Sequence, residues 1–270
     1  MLRLWRDTLQ VLIAPERLLL ARTSRWRKRV IDQRVIDIVQ TGDAAAGWQE
    51  ALNALTRAAT EGAWQHTDVR VVLSNRLLRF MLAPTLETRS AGLDNVLIAN
   101  HYFKQAYGEV AAGWVCRMDD DGGPVAMALD RALLQAVTHC FTGPDYRLLS
   151  VRPALAVVFN RWRRRFGSGT HWLVMAEAGH SCVCLLQAGQ WRQVRCVSST
   201  DDLPAEVLRT LTREQLLAGV DAAAGELALF ALDGKMAEQL EAAGCKVRRL
   251  TLPSPGVQGA PSGMALALAA

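Results

Sequence analysis

The chain has 270 residues, of which 50% are hydrophobic and 21% are charged, so it can bury the core of one large or two small domains and is not intrinsically disordered. Its 31 Lys and Arg against 26 Asp and Glu give a net charge of +5, which is compatible with an acidic partner but identifies none. No stretch of about 18 residues is both apolar and free of helix breakers, which excludes a membrane-spanning helix.

Three short apolar stretches open the chain and are followed by a helical pattern. The first two flank the turn residues Pro15 and Glu16, and a basic loop precedes the third. Apolar residues then recur at helical spacing before a further apolar run. We predict strands at 9–14, 17–23 and 30–39, a helix over 44–61 and a strand at 68–74. The order is β-β-β-α-β.

The middle of the chain carries further elements of both types. Gly108 ends a helical stretch, and Pro153 lies where a strand passes into a helix. We predict strands at 77–82 and 147–151, a hairpin of 110–118 with 125–129, and helices over 90–107, 131–141 and 153–166.

The second half repeats the order of the first. Three strand-like stretches are joined by short turns at Ala178-Gly179 and Ala188-Gly189, and an amphipathic helix with proline in its first turn follows. We predict strands at 171–176, 181–186, 191–197, 226–232 and 245–250, and helices over 204–217 and 235–243. Two copies of β-β-β-α-β in one chain indicate a duplicated architecture.

The repeat divides the chain into two lobes and a tail. We predict a first lobe over 1–165 with an inserted helical and hairpin subdomain, and a second lobe over 166–250. Residues 251–270 are rich in Pro, Gly and Ala and have little bulk to pack, so we predict a flexible tail.

Local sequence supports the same architecture. The duplicated unit resembles the actin/Hsp70/sugar-kinase superfamily, and the segments 71–84, 99–108 and 148–153 resemble bacterial PilM-like and MshI-like pilus-assembly proteins. The cytoplasmic region of the type II secretion protein GspL is also similar. The resemblance covers about residues 8–250 and implies an α/β, actin-like fold with two lobes.

The turn between the first two strands departs from the nucleotide-binding members of this superfamily. Those members share an Asp-x-Gly loop, in which backbone N–H groups donate hydrogen bonds to phosphate oxygens and the carboxylate positions magnesium and its water. This chain has Ala14, Pro15, Glu16 and Arg17 at that place. Proline removes an N–H and no glycine opens the backbone, so we predict a degenerate phosphate loop.

The matching turn of the second half retains more of the pattern. Glu177 and Gly179 belong to a Glu-x-Gly tripeptide, which resembles an Asp-x-Gly with a longer acidic side chain. The resemblance together with the first loop leads us to expect no cofactor, no catalytic residues and no ATP hydrolysis.

The cysteines suggest packing more than chemistry. The chain has six cysteines with no Cys-x-x-Cys pair, mostly inside apolar runs, so we predict reduced core residues. His180, Cys182 and Cys184 alternate along one strand face and could offer three metal ligands. No second cluster with suitable spacing completes a four-ligand site, so we predict core cysteines and no metal.

Two clusters interleave tryptophan with cations, one at 161–165 and the other formed by Arg25, Trp26, Arg27, Lys28 and Arg29. This composition suits anionic lipid headgroups, and it suits nucleic-acid phosphates equally. It also suits a solvated loop and a helix end. No nucleic-acid-binding motif accompanies either cluster. We expect the cluster at 25–29 to face a membrane surface or a membrane-borne partner.

The resemblance implies a function. We expect a non-catalytic scaffold of a type IV pilus or type II secretion-like assembly system, docked on a bitopic inner-membrane PilN-like protein. The start of the chain lacks the apolar run of a secretory signal, so we expect a cytoplasmic protein, peripheral at the inner membrane. The alternatives are an ATP-binding actin-like ATPase of the same machinery and a basic nucleic-acid-binding protein.

Overall fold

The chain forms two compact units in a computed structural model. The first unit comprises Met1–Leu77, Arg131–Val158 and Leu252–Ala270, and the second comprises Leu78–Asp130 and Phe159–Thr251. The structure describes residues 6–27, 29–39, 47–83, 95–118, 124–219, 226–232, 235–252 and 263–269.

Strands make up the centre of each unit. In chain order they are β1 (Asp7–Ala14), β2 (Arg17–Thr23), β3 (Val30–Asp37), β4 (Thr67–Leu73), β5 (Leu78–Leu82), β6 (Trp114–Met118), β7 (Val125–Asp130), β8 (Tyr146–Pro153), β9 (Thr170–Glu177), β10 (His180–Gln187), β11 (Gln190–Ser198), β12 (Glu226–Ala231) and β13 (Val247–Arg249).

Helices connect the strands and cover the sheets. The α-helices are α1 (Gln49–Ala59), α2 (Asn95–Tyr107), α3 (Arg131–Cys140), α4 (Ala154–Trp162), α5 (Leu203–Ala218), α6 (Lys235–Ala242) and α7 (Met264–Leu268). Short 3-10 helices lie at Gly62–Trp64, Asn75–Leu77, Gly108–Gly113 and Arg163–Phe166.

The first unit is built on a mixed five-stranded sheet of order β3-β2-β1-β4-β8. β1, β2 and β3 form an antiparallel meander, and β4 and β8 extend it by parallel pairing. β1 and β4 carry long runs of buried residues, as expected of central strands covered on both faces, whereas the edge strand β3 is mostly exposed.

The second unit repeats this arrangement with the order β11-β10-β9-β12-β13. β9, β10 and β11 form the antiparallel meander, and β12 and β13 pair in parallel with their neighbours. One face buries Val174 and Val183 against Val207 and Leu211 of α5. The predicted duplication, with two separate sheets that each begin in a three-strand meander, is confirmed.

A smaller antiparallel sheet, β5-β7-β6, belongs to the second unit. It packs with α2 around the buried ring of Phe103, and β5 also contacts β11. We predicted a first lobe over 1–165 that contains an inserted helical and hairpin subdomain, whereas Leu78–Asp130 group with Phe159–Thr251. The contact of β5 with β11 provides the physical reason for this difference.

The end of the chain also differs from the sequence prediction. Met264–Leu268 form α7, in which Met264, Leu266 and Ala267 are buried, and α7 packs against β1, β2 and β4. The flexible tail predicted over 251–270 therefore does not hold for these residues, because they cover apolar side chains of the first sheet. Residues 253–262 lie outside the described part of the chain.

Candidate functional site

The β1–β2 turn contains the four residues at which we predicted a degenerate phosphate loop. Ala14 pairs with Arg17, and Pro15 and Glu16 form the turn between them. None of these four residues has a positive φ. The turn is therefore a tight hairpin, without the open glycine backbone that admits a phosphate.

Side-chain contacts close this turn further. The Glu16 carboxylate accepts a hydrogen bond from the Arg76 guanidinium, and the Glu16 carbonyl oxygen accepts one from the Ile38 N–H at 2.8 Å. Arg17 Nε donates to Asp37 Oδ1 at 2.8 Å. Sequence reasoning missed Arg76, because its place opposite the turn depends on the parallel pairing of β4 with β1.

The β9–β10 turn is the matching position in the second unit. Glu177 ends β9 and is buried, and Gly179 has φ 65° in the two-residue turn. A Cβ on Gly179 would come within 3.3 Å of the Ser199 carbonyl oxygen. The glycine is therefore explained by the turn and by the close approach of the chain after β11.

Asn75, in the segment 71–84 that carries part of the resemblance, contacts the start of α4 in the first unit. Asn75 lies just after β4, and its Oδ1 accepts a hydrogen bond from the Leu155 N–H at 2.9 Å. Because this N–H belongs to the first turn of α4, the buried amide side chain satisfies one of the donors that a helix start leaves free. Asn75 thus has a structural role here.

The basic loop between β2 and β3 is an exposed surface feature. Trp26 is 69% exposed, and Arg25, Arg27 and Arg29 are also exposed. The Arg25 N–H donates to Asp7 Oδ1 at 3.3 Å, which ties the loop to β1. Lys28 lies outside the described residues. The loop therefore presents an aromatic ring among cations, the combination that sequence analysis singled out.

The second basic cluster differs in the setting of its tryptophan. Trp162 is half-buried at the end of α4, and the Arg165 guanidinium lies 4.6 Å from its ring centroid. The Arg165 side chain covers this tryptophan, so the cluster at 161–165 offers cations without an exposed indole.

Among the described residues, no helix is both long and apolar enough to cross a membrane.

A cluster that sequence analysis did not assemble lies on β10 and β11. Cys182 Sγ is 3.3 Å from Cys196 Sγ and 3.9 Å from His180 Nε2, and His180 Nδ1 is 2.9 Å from Ser198 Oγ. Cys184, which we grouped with His180 and Cys182 from spacing alone, is replaced in this cluster by Cys196 of the neighbouring strand.

Regular strand pairing would not have revealed this cluster. Counting back from the Ala188-Gly189 turn, a regular hairpin places Cys182 opposite Arg195. A bulge after Leu185 shifts the register by one residue, so that Cys182 pairs with Cys196. The signal in the sequence is therefore hidden by a bulge that only the packed sheet reveals.

The two paired thiols have different acidities. The hydrogen bond from Cys182 lowers the pKa of Cys196 to about 6, and contact with His180 and the positive charge of Arg79 act in the same direction. The same hydrogen bond, together with burial, raises the pKa of Cys182 well above its usual value. The contact between the two sulfurs therefore favours one proton shared by the pair.

The prediction of reduced core cysteines is only partly right. All six cysteines are free, and Cys116, Cys182 and Cys184 are buried. The others are not core residues: Cys140 and Cys245 are half-buried, and Cys196 is exposed on the outer strand β11.

Comparison with known proteins identifies the fold. No known family profile matches the chain, and no curated protein matches it in sequence. A solved structure from Bacteroides thetaiotaomicron, described as having an actin-like ATPase fold and unknown function, matches with a TM-score of 0.65 at 9% identity, over 98% of this chain and 95% of that chain. The PilM-PilN type IV pilus biogenesis complex matches with a TM-score of 0.65 at 13% identity, over 97% of each chain.

A further similar structure is the cytoplasmic domain of EpsL, an inner membrane component of the type II secretion system of Vibrio cholerae. It is 16% identical over 97% of this chain and 92% of that chain, with a TM-score of 0.49. At the identities of the first two structures, similarity establishes the fold and leaves the function open. The chain has the α/β, actin-like fold that its duplicated β-β-β-α-β order and its resemblance to PilM-like proteins predicted.

Proposed function

We propose that this chain is a non-catalytic, actin-like scaffold of a type IV pilus or type II secretion-like assembly system, at the cytoplasmic face of the inner membrane. The single observation that supports the absence of catalysis in this proposal is the closed β1–β2 turn. The fold shared with the PilM-PilN complex supports the choice of machinery and of a bitopic PilN-like partner. A scaffold of this kind needs a docking surface and no chemistry.

The β1–β2 turn opposes nucleotide binding by both charge and shape. A triphosphate carries several negative charges, and Glu16 adds another at the place where a phosphate would lie. Arg76 could attract phosphate, but it is already paired with Glu16. Binding would therefore require breaking an ion pair in order to expose a carboxylate to an anion.

Mg-ATP is expected to leave the thermal stability of the protein unchanged. A ligand present at 100 times its dissociation constant adds about 2.7 kcal/mol to the native state, which raises the melting temperature visibly. Thermal unfolding followed by circular dichroism with and without millimolar Mg-ATP measures this directly.

The second candidate function, an ATP-binding member of the same machinery, rests on the β9–β10 turn. It has a buried carboxylate, Glu177, beside the left-handed Gly179. A melting-temperature rise with Mg-ATP that is lost in Glu177→Gln but kept in Glu238→Gln, which alters an exposed acid on α6, would establish this candidate and overturn the scaffold proposal.

The basic loop at 25–29 supplies the membrane-facing side of the proposal. Each cation near an anionic membrane surface contributes about 1 kcal/mol to the binding free energy. An indole such as that of Trp26 binds favourably at the level of the lipid headgroups. Four cations are enough to strengthen a weak protein contact, but too few to anchor the chain alone. Binding should therefore be reversible and sensitive to salt.

Flotation with anionic vesicles tests this loop. We expect wild type to float at low salt and the variant with Arg25, Arg27, Lys28 and Arg29 changed to Gln to remain in solution. The matched control changes Arg161, Arg163, Arg164 and Arg165 to Gln, which removes the same charge from the other cluster and should still float. Equal flotation of wild type and the loop variant contradicts the role of this loop. A preference of wild type for single-stranded nucleic acid favours the nucleic-acid-binding alternative.

A genetic observation addresses the partner. If neighbouring reading frames encode a bitopic protein with PilN-like features, its short cytoplasmic segment is the peptide to test for binding. Failure of the full chain to co-purify with that protein from detergent-solubilised membranes counts against a PilN-like partner.

A further inference from the structure

His180, Cys182 and Cys196 bring three metal-ligating atoms together on one face of β10 and β11. All three atoms lie within 4.8 Å of one another. Around one tetrahedral zinc ion, with metal–sulfur and metal–nitrogen bonds of about 2.3 and 2.0 Å, two sulfur ligands are about 3.8 Å apart and a sulfur and a nitrogen ligand are about 3.5 Å apart. The observed separations, 3.3 Å between the sulfurs and 3.9 Å from Cys182 Sγ to His180 Nε2, each lie within about 0.5 Å of those values, so small side-chain rotations would seat an ion.

The backbone holds these atoms in place. His180 and Cys182 are two residues apart on β10 and so share a face, and Cys196 is the direct cross-strand partner of Cys182. Ser198 is the cross-strand partner of His180. Two adjacent cross-strand pairs of an ordered hairpin therefore supply the ligands, and little chain entropy remains to be lost when an ion binds.

The second pair orients the histidine. His180 Nδ1 lies 2.9 Å from Ser198 Oγ, which leaves Nε2 directed at Cys182. A hydrogen bond to the other ring nitrogen is the usual outer contact of a metal-bound histidine, because it fixes the tautomer and the ring orientation. This contact is independent of the distance between the sulfurs, and it also indicates that the three side chains are arranged to bind a metal ion.

Burial and access are also suited to an ion. His180 is 8% exposed and Cys182 is fully buried, so both lie in a dry environment that strengthens ligation. Cys196 is exposed on the outer strand, which provides a route for entry. The two sulfurs are 3.3 Å apart, whereas the bond in a disulfide is about 2.05 Å long, so both thiols are free to bind an ion.

We infer that His180, Cys182 and Cys196 form a binding site for one thiophilic d10 cation, with Ser198 as the positioning residue for the histidine. Two thiolates and one imidazole select Zn²⁺ or Cu⁺ over Mg²⁺ or Ca²⁺, which prefer oxygen ligands. Three protein ligands leave a fourth position of a tetrahedral ion open to water or to a side chain of a partner.

Metal titration of the reduced, metal-free full chain tests this site. We expect one equivalent of Zn²⁺, or of Cu⁺ under anaerobic conditions, to bind in competition with a chromophoric chelator. Mg²⁺ should not compete. Ser198→Ala should weaken zinc binding about 10- to 100-fold, the usual effect of removing an outer contact, and Cys196→Ser should weaken it more.

Matched variants separate this site from general thiol chemistry and from misfolding. Cys140→Ser removes a thiol elsewhere, and Cys184→Ser removes the third ligand suggested by spacing alone, so both should bind Zn²⁺ as wild type does. Circular dichroism checks that each variant is folded. Replacement of Zn²⁺ by Co²⁺ gives a sulfur-to-metal charge-transfer band that should weaken in Cys196→Ser, in which Cys182 supplies the one remaining thiolate.

Three outcomes would overturn the inference. One is the absence of stoichiometric binding of either ion to the folded, reduced wild type. Another is undiminished binding in folded Cys196→Ser or His180→Gln. The third is a loss of binding in folded Cys184→Ser that equals the loss in Cys196→Ser.

Discussion

Replacing Leu266 with alanine is expected to lower the free energy of unfolding of the first unit by about 2–5 kcal/mol, the range for a buried leucine. Leu266 is fully buried in α7, which packs against β1 and β2. The alanine leaves a cavity on the sheet, and the hydrogen bond from Gln10 Nε2 to the Leu268 carbonyl oxygen at 3.2 Å opposes a shift of α7 to fill it. Urea denaturation followed by circular dichroism measures the change.

Leu268→Ala is the matched control for this prediction. It removes the same atoms two residues later in α7, but Leu268 is only half-buried and its carbonyl hydrogen bond survives the change. We expect a clearly smaller loss of stability. If Leu266→Ala costs no more than Leu268→Ala, the end of the chain does not contribute to the core of the first unit.

Removing both cations beside Glu214 is expected to destabilise the second unit by about 3–5 kcal/mol, the cost of leaving a buried charge unpaired. Glu214 on α5 is fully buried, and its Oε1 accepts hydrogen bonds from Arg195 Nε at 3.2 Å and Arg213 Nη2 at 2.8 Å. Within the described part of the chain, its Oε2 has no hydrogen-bond partner. The carboxylate therefore depends on these two arginines. The double variant Arg195→Met, Arg213→Met tests this by urea denaturation.

Adding Glu214→Gln to the double variant provides the control. It removes the buried charge while it keeps nearly the same volume, so we expect the triple variant to recover most of the lost stability. Recovery would show that the arginines act through the charge of Glu214 and not through packing of their methylene groups. A triple variant that is as unstable as the double variant contradicts the prediction.

Local sequence was sufficient to predict the repeated framework. Alternating and continuous apolar runs bounded by Pro15 or by the Gly179 and Gly189 turns place the strands of both meanders within about three residues of their observed ends. These signals are local, since burial follows side-chain period and turns follow backbone freedom at one or two residues. The closed β1–β2 turn was also readable, because proline and the lack of glycine act at the turn itself.

Features that depend on contacts between residues far apart in the chain could not be predicted from the sequence. Met264–Leu268 is too short to be helical alone, and its helix exists because it covers the first sheet. The grouping of residues 78–130 with the second unit depends on β5 meeting β11, which lies more than one hundred residues further along the chain.

The candidate metal site combines both kinds of information. Sequence alternation alone places His180 and Cys182 on one face of a strand, because side chains of a strand repeat every second residue. Only the bulge after Leu185 brings Cys196, rather than Arg195, opposite Cys182. A shift of one residue exchanges the two faces of a strand, so the sheet and not the sequence decided which side chain completes the cluster.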